Sequence, residues 1–183
     1  MRNQNRGQGS GVRGREKRKT RRAILIIFLA SALLALPVNF HAETLSPIQP
    51  NIDVNGQFSA ARAQRGRVIR ATVVIDIPSG FHINSNRPLA KFLIPTSLKV
   101  EAPGGVRVGP VSFPPAHLRS FSFSPDKLSV YEGRVVLRFN VTVPQNFSGG
   151  ELNLRANLRY QSCNDEACFP PVTRGVPMSI AVG

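Results

Sequence analysis

The chain has 183 residues, two cysteines, no tryptophan and a formal net charge of +14. Residues 1–22 hold nine Lys/Arg and one Glu, a net of +8, while the remaining 161 residues hold fifteen basic and nine acidic side chains, a net of +6. The basic excess is therefore the property of a tail; with few aromatics and no recognition motif elsewhere it speaks against nucleic-acid binding, and without a Walker loop, a dinucleotide fingerprint or a Ser/His/Asp arrangement there is no case for a hydrolase.

The tail leads into residues 23–36, AILIIFLASALLAL, which carry no charge. A basic segment, an apolar run and then PVNFHAET is the order of a secretory signal, and the run is short of the ~20 apolar residues that a membrane span needs. Ala42 is expected to be the last residue removed. Phe40 departs from the small-residue rule at that site, so an uncleaved N-terminal anchor is the competing reading, the only one that places the protein at a membrane. Residues 1–42 are thus assigned to the tail plus signal peptide or anchor, 43–60 to a linker and first strand, and 61–183 to the exported domain. Export to the periplasm or beyond means a compartment in which two cysteines can form and keep a disulfide.

Beyond the signal the pattern is β almost throughout. Residues 68–77 put Ile69, Ala71, Val73, Ile75 and Ile77 on one face, and residues 134–143 do the same with Val135, Leu137, Phe139, Val141 and Val143. In residues 151–161, Leu152, Leu154, Ala156, Leu158 and Tyr160 alternate with Asn153, Arg155, Asn157, Arg159 and Gln161. Period-two alternation predicts strands with one buried and one wet face. Weaker strands are predicted over 52–58, 93–100, 106–113 and 178–182. Turn signals separate them: PSG at 78–80, APGG at 102–105, FPP at 113–115, SPD at 124–126 and FSGG at 147–150. Seven or eight short strands with no helical period predict an all-β fold, an immunoglobulin-like antiparallel β-sandwich. Two stretches fit it less well: 80–96, which contains His82, and 113–131, a long connection carrying Phe121 and Phe123.

The two cysteines stand in YQSCNDEACFPP, residues 160–171, with four residues between them. Three readings are open. As a staple, a disulfide across so small a loop contributes roughly 2 kcal/mol by chain entropy, against ~4.7 for a loop of 100 residues. As a metal clip, Cys163 and Cys168 would need further ligands, and His82 and His117 are remote in sequence without zinc-site spacing. As a redox pair, they would exchange with a docked partner's thiol. Asp165 and Glu166 between the sulfurs disfavour thiolate and would tune thiol ionisation by keeping the thiol pKa normal or raising it. His82 is either a proton-handling neighbour or an ordinary loop residue.

Tyr160, Gln161, Cys163, Cys168, Pro170 and Pro171, followed by VTRGVPMSI, resemble the end of the N-terminal periplasmic domain of the DsbD thiol:disulfide interchange family. Gly80-Phe81 and the spacing from Lys127 to Tyr131 extend the resemblance upstream. It implies an immunoglobulin-like sandwich whose cysteine pair passes reducing equivalents between thioredoxin-like periplasmic proteins, fed by a membrane electron donor, with no cofactor and as a monomer. It implies Cys168 as the attacking nucleophile, Cys163 as the resolving thiol, Phe121 or Phe123 as the tip of a shielding cap loop, and Tyr160 as part of the surround. The spacing of the cysteines is one residue shorter than in the best-known member, and neither the family's transmembrane conduit nor its thioredoxin-like domain is found in these residues, so donor and acceptor stay open. The expected activity is that of a protein-disulfide oxidoreductase. The alternative is a non-catalytic immunoglobulin-like binding module with a structural hairpin disulfide, in which Arg155, Arg159 and Arg174 would offer a basic face.

Overall fold

The structure, a computed structural model, describes residues 49–183. The basic tail and the signal or anchor segment lie outside the described residues. In chain order the strands are β1 (Asp53–Phe58), β2 (Arg62–Ala63), β3 (Val68–Asp76), β4 (His82–Asn84), β5 (Ser97–Glu101), β6 (Arg107–Val108), β7 (His117–Arg119), β8 (Leu128–Tyr131), β9 (Arg134–Thr142), β10 (Glu151–Tyr160), β11 (Ser162–Cys163) and β12 (Val172–Val182). There is no helix among the described residues.

Two four-stranded sheets face each other. One has the order β1-β3-β9-β6, the other β2-β12-β10-β5. Every pairing in them is antiparallel except that of the short edge strand β2 with β12. With β1, β3, β9 and β6 as strands A, B, E and D, and β12, β10 and β5 as G, F and C, this is the strand order of an immunoglobulin-like sandwich. The alternation read from the sequence is what closes it. Ile69, Ala71, Val73 and Ile75 of β3, Val135, Leu137, Phe139 and Val141 of β9, Leu152, Leu154, Ala156, Leu158 and Tyr160 of β10, and Val176, Met178, Ile180 and Val182 of β12 belong to one buried core. Each such aliphatic side chain removed from water contributes ~1.5–3 kcal/mol.

The weaker predictions needed correcting. The strand expected over 93–100 begins only at Ser97. Pro95 has no N–H to offer a ladder, and Leu93 instead joins a separate small core with Leu128 and Val130. The strand expected over 106–113 is reduced to Arg107–Val108, with Ser112 bridging to Arg138 beyond Pro110. The strand expected over 178–182 is longer, beginning at Val172. Gly175 and Pro177 hid its first half. Pro177 is tolerated because β12 there has β10 on one side only, β2 reaching just Ala181 and Val182.

The stretches that fitted least well build a third sheet, of order β11-β4-β8-β7. Its strands come from three connections: β3 to β5 supplies β4, β6 to β9 supplies β7 and β8, and β10 to β12 supplies β11. The residues expected as a long loop over 113–131 are therefore partly a hairpin. The loop proper is residues 120–127. A positive φ of 81° at Gly80 forms the turn that launches β4, a conformation that favours glycine.

Candidate functional site

The cysteines lie on a tight turn after β10. Asn164 makes that turn: its Oδ1 accepts hydrogen bonds from the backbone N–H of Glu166 (3.0 Å) and Ala167 (2.7 Å), as asparagine does in Asx-type turns. The Asn164 N–H donates to the Ala167 carbonyl at 3.0 Å, and the Phe169 N–H to the Ser162 carbonyl at 2.8 Å. Cys163 and Cys168 face each other between these two rungs, where antiparallel strands bring side chains closest, and they are joined by a disulfide with Cα atoms 3.9 Å apart. Cys163 is wholly buried, and Cys168 is partly exposed.

β4 runs beside the cysteine strand. His82 pairs with Cys163 and Ile83 with Ser162. Directly facing residues of an antiparallel pair share a face of the sheet, so the imidazole stands on the same side as the Cys163 sulfur. His82, weighed above as an ordinary loop residue, is instead a strand residue only 2% exposed. Its Nε2 has no hydrogen-bond partner. Phe121 covers it: the two rings stack with centroids 4.0 Å apart and planes at 20°. Phe123 stacks in turn on Phe121 at 5.5 Å. Phe121 is anchored by Leu93, Leu128 and Val130, whereas Phe123 remains exposed. The Ser122 hydroxyl between them donates to the Asp165 carbonyl at 2.7 Å and fastens the 120–127 loop to the disulfide turn.

Burial dominates the ionisation of His82. It pulls the pKa from 6.5 down to about 4, with the carboxylate of Asp165 acting upward and the cation of Arg119 acting downward. Arg119 is itself paired with Glu132 at 3.3 Å. The folded pKa lies below the unfolded value, so the unfolded chain binds the extra proton first. Stability associated with neutral His82 is fully present above pH 6.5 and is lost as the pH falls toward about 4. Denaturant titrations across that window should show the wild-type chain losing stability relative to His82→Phe as the pH drops, because phenylalanine keeps the stack and cannot charge. A constant gap between them would contradict the burial account.

Gln161, read from the alternation as a wet-face residue, is half-buried and ties the β10–β12 connection to the β3–β5 connection. Its Oε1 accepts from Asn84 Nδ2 (3.1 Å) and from the Ile94 N–H (3.3 Å), while its Nε2 donates to the Phe169 carbonyl at 3.1 Å. The one available signal was its place in the Tyr-Gln-x-Cys motif, which says nothing about its partners. Phe169, also unmarked in the sequence, is buried next to Phe81 with ring centroids 6.1 Å apart.

Cys163, Cys168, His82, Asp165 and Phe121 are thus gathered at one end of the sandwich, with Phe123 stacked outside Phe121. Glu166 is exposed at the turn. Tyr160 is in the main core, 1% exposed. His117 is exposed on β7, and among the described residues no three His, Cys, Asp or Glu side chains are grouped to hold a metal. Arg155, Arg159 and Arg174 lie on β10 and β12, with Arg159 and Arg174 exposed and the Arg155 guanidinium lying against Gly175.

The sequence profile of the thiol:disulfide interchange protein DsbD, N-terminal domain, matches residues 50–179. The search of the curated proteins found no match. Solved structures with a related shape include the N-terminal domain of DsbD from Neisseria meningitidis in the reduced form, 18% identical over 70% of this chain and 85% of that one, with a TM-score of 0.43. They also include a family 123 glycoside hydrolase from Clostridium perfringens, 11% identical over 72% of this chain and 27% of that one, with a TM-score of 0.35. The profile match takes in well over half of the chain and includes both cysteines and the residues packed around them: this protein belongs to the family of the N-terminal domain of the thiol:disulfide interchange protein DsbD.

Proposed function

We propose that the protein is an exported thiol–disulfide exchange module, passing reducing equivalents between thioredoxin-like partners through the Cys163–Cys168 pair. The observation that carries this is the disulfide itself, placed on a tight turn at one end of the sandwich with one sulfur-bearing residue partly exposed and the other buried. A partner thiolate attacks the Cys168 sulfur and Cys163 leaves; in the other direction the Cys168 thiolate attacks a partner disulfide and Cys163 resolves the product. The exposure of the two residues supports Cys168 as the sulfur that meets the partner. Phe121 and Phe123, held over the site by the Ser122–Asp165 hydrogen bond, support a capping role for the 120–127 loop. Asp165 and Glu166 disfavour stray thiolate and so reserve reactivity for a docked protein. The periplasm is the compartment proposed, on the family's account.

The reduction potential separates this from the reading in which the disulfide only fixes a hairpin. Equilibration with a thioredoxin redox couple should place the pair within the range of about −270 to −120 mV spanned by exchange proteins. A value below about −300 mV, with no exchange, would make it a staple on a binding module.

A further inference from the structure

Among the described residues three buried side chains have an unpartnered polar atom, Asn84 (Oδ1), Ser162 (Oγ) and His82 (Nε2), and of these only His82 can titrate. Buried polar atoms are nearly always paired, so an orphan beside a reactive bond calls for an explanation. Three placements give one. His82 faces Cys163 directly across the β4–β11 pair. Phe121 seals the ring from above. A cleft of about 490 Å³ borders the histidine, lined by Phe81, His82, Arg119, Glu132 and Asp165 among others.

We propose that His82 is the proton acceptor for the Cys163 thiol in the closing step of exchange. The inference rests on the exchange reading above and gives that reading its proton path. In the closing step Cys168 is joined to the partner's sulfur. The Cys163 sulfur attacks the Cys168 sulfur, the Cys163–Cys168 bond forms, and the bond between Cys168 and the partner breaks with its electron pair on the partner. The proton leaves Cys163 for His82 Nε2 and passes through the cleft to the departing thiolate, which becomes a thiol. The partner is reduced by two electrons and this chain's dithiol is oxidised to the disulfide. Cys163 needs such a partner because it is wholly buried, and burial opposes the free thiolate that would otherwise have to form first. Burial keeps the imidazole neutral and a weak base, so its Nε2 lone pair is free to take the proton only in passing and hands it on as the partner thiolate leaves. The charges around it are Asp165 on the turn and Arg119 on β7 with its partner Glu132, while Lys127, at the end of the 120–127 loop, lines a neighbouring pocket with Phe121 and Asp165. Asp165 would stabilise the imidazolium as it forms.

The full chain, reduced and mixed with a dithiobis-nitrobenzoate reagent, reports the two steps separately. One thionitrobenzoate is released when the mixed disulfide forms, and a second when Cys163 closes the ring. A neutral base makes closure nearly independent of pH from about 6 to 8, whereas a thiol ionising unaided closes about tenfold faster per pH unit over that range. The wild-type chain should give the flat profile. His82→Phe should close at least about tenfold more slowly at pH 7, regain the steep profile, and approach wild type only at high pH, where the Cys163 thiol ionises unaided. Closure by His82→Phe at the wild-type rate, with the first release unchanged, overturns the assignment and leaves exchange standing. Should His82→Phe fail to fold, the wild-type profile decides alone: a tenfold rise per pH unit overturns the assignment. A wild-type chain that takes up one reagent and never closes removes the exchange reading, and this assignment with it.

Discussion

Cys163→Ser should accumulate a mixed disulfide with a thioredoxin-like protein at Cys168, and its turnover as a disulfide reductase should fall by roughly 100-fold or more. The magnitude follows from what the second sulfur supplies. Cys163 sits across one rung from Cys168, so its attack is intramolecular, and well-oriented intramolecular steps have effective concentrations of about 10⁵ M or higher. No thiol in solution approaches that, so the mixed disulfide persists. Cys168→Ser should form no such adduct, because the remaining sulfur belongs to a residue with no exposed surface. Both variants should still fold but lose about 2 kcal/mol, the chain-entropy contribution of the small ring that the disulfide closes. Non-reducing electrophoresis followed by peptide mass mapping identifies the linked cysteine. An adduct on Cys163 in Cys168→Ser, with none on Cys168 in Cys163→Ser, would reverse the assignment of nucleophile and resolving thiol.

The second large effect concerns stability. Tyr160→Ala should destabilise the chain by about 3–5 kcal/mol, as for other large aromatics truncated in a core, and lower the Tm by on the order of 10–20 °C. Tyr160 ends β10, pairs with Val172 and is buried in the core between the two main sheets. Its neighbours Leu158 and Ala156 are also inaccessible, so the space left would not fill by a simple shift. The folded fraction should exchange disulfides at the wild-type rate. Thermal denaturation and the reagent assay, read on the same preparation, check both halves. A stable variant with slowed exchange would instead return Tyr160 to the surround of the cysteines.

Much of this architecture follows from local pattern. β3, β9 and β10 are legible because each has a wet face and a buried face, and a period of two in hydrophobicity is enough to reveal such a strand. β12 is harder to read because Gly175 and Pro177 break the pattern where the strand lacks a second neighbour. The four short strands of the end sheet carry no such signal. Three of them have two or three residues, and β4 and β8 are buried on both faces, so nothing alternates.

The amino-acid sequence alone determined the sandwich, the family and the two cysteines as the point of interest, because these depend on periodicity and on a motif contiguous along the chain. Tertiary structure decided the rest of the site. His82 lies 81 residues before Cys163 and 39 before Phe121, and Gln161 finds its partners at Asn84, Ile94 and Phe169. Which of two cysteines is covered, which phenylalanine stacks on the histidine, and which polar atoms are left without a partner depend on how three separate connections meet at one end of a β-sandwich. That meeting is a matter of strand register and packing between segments distant in sequence, and no local pattern records it.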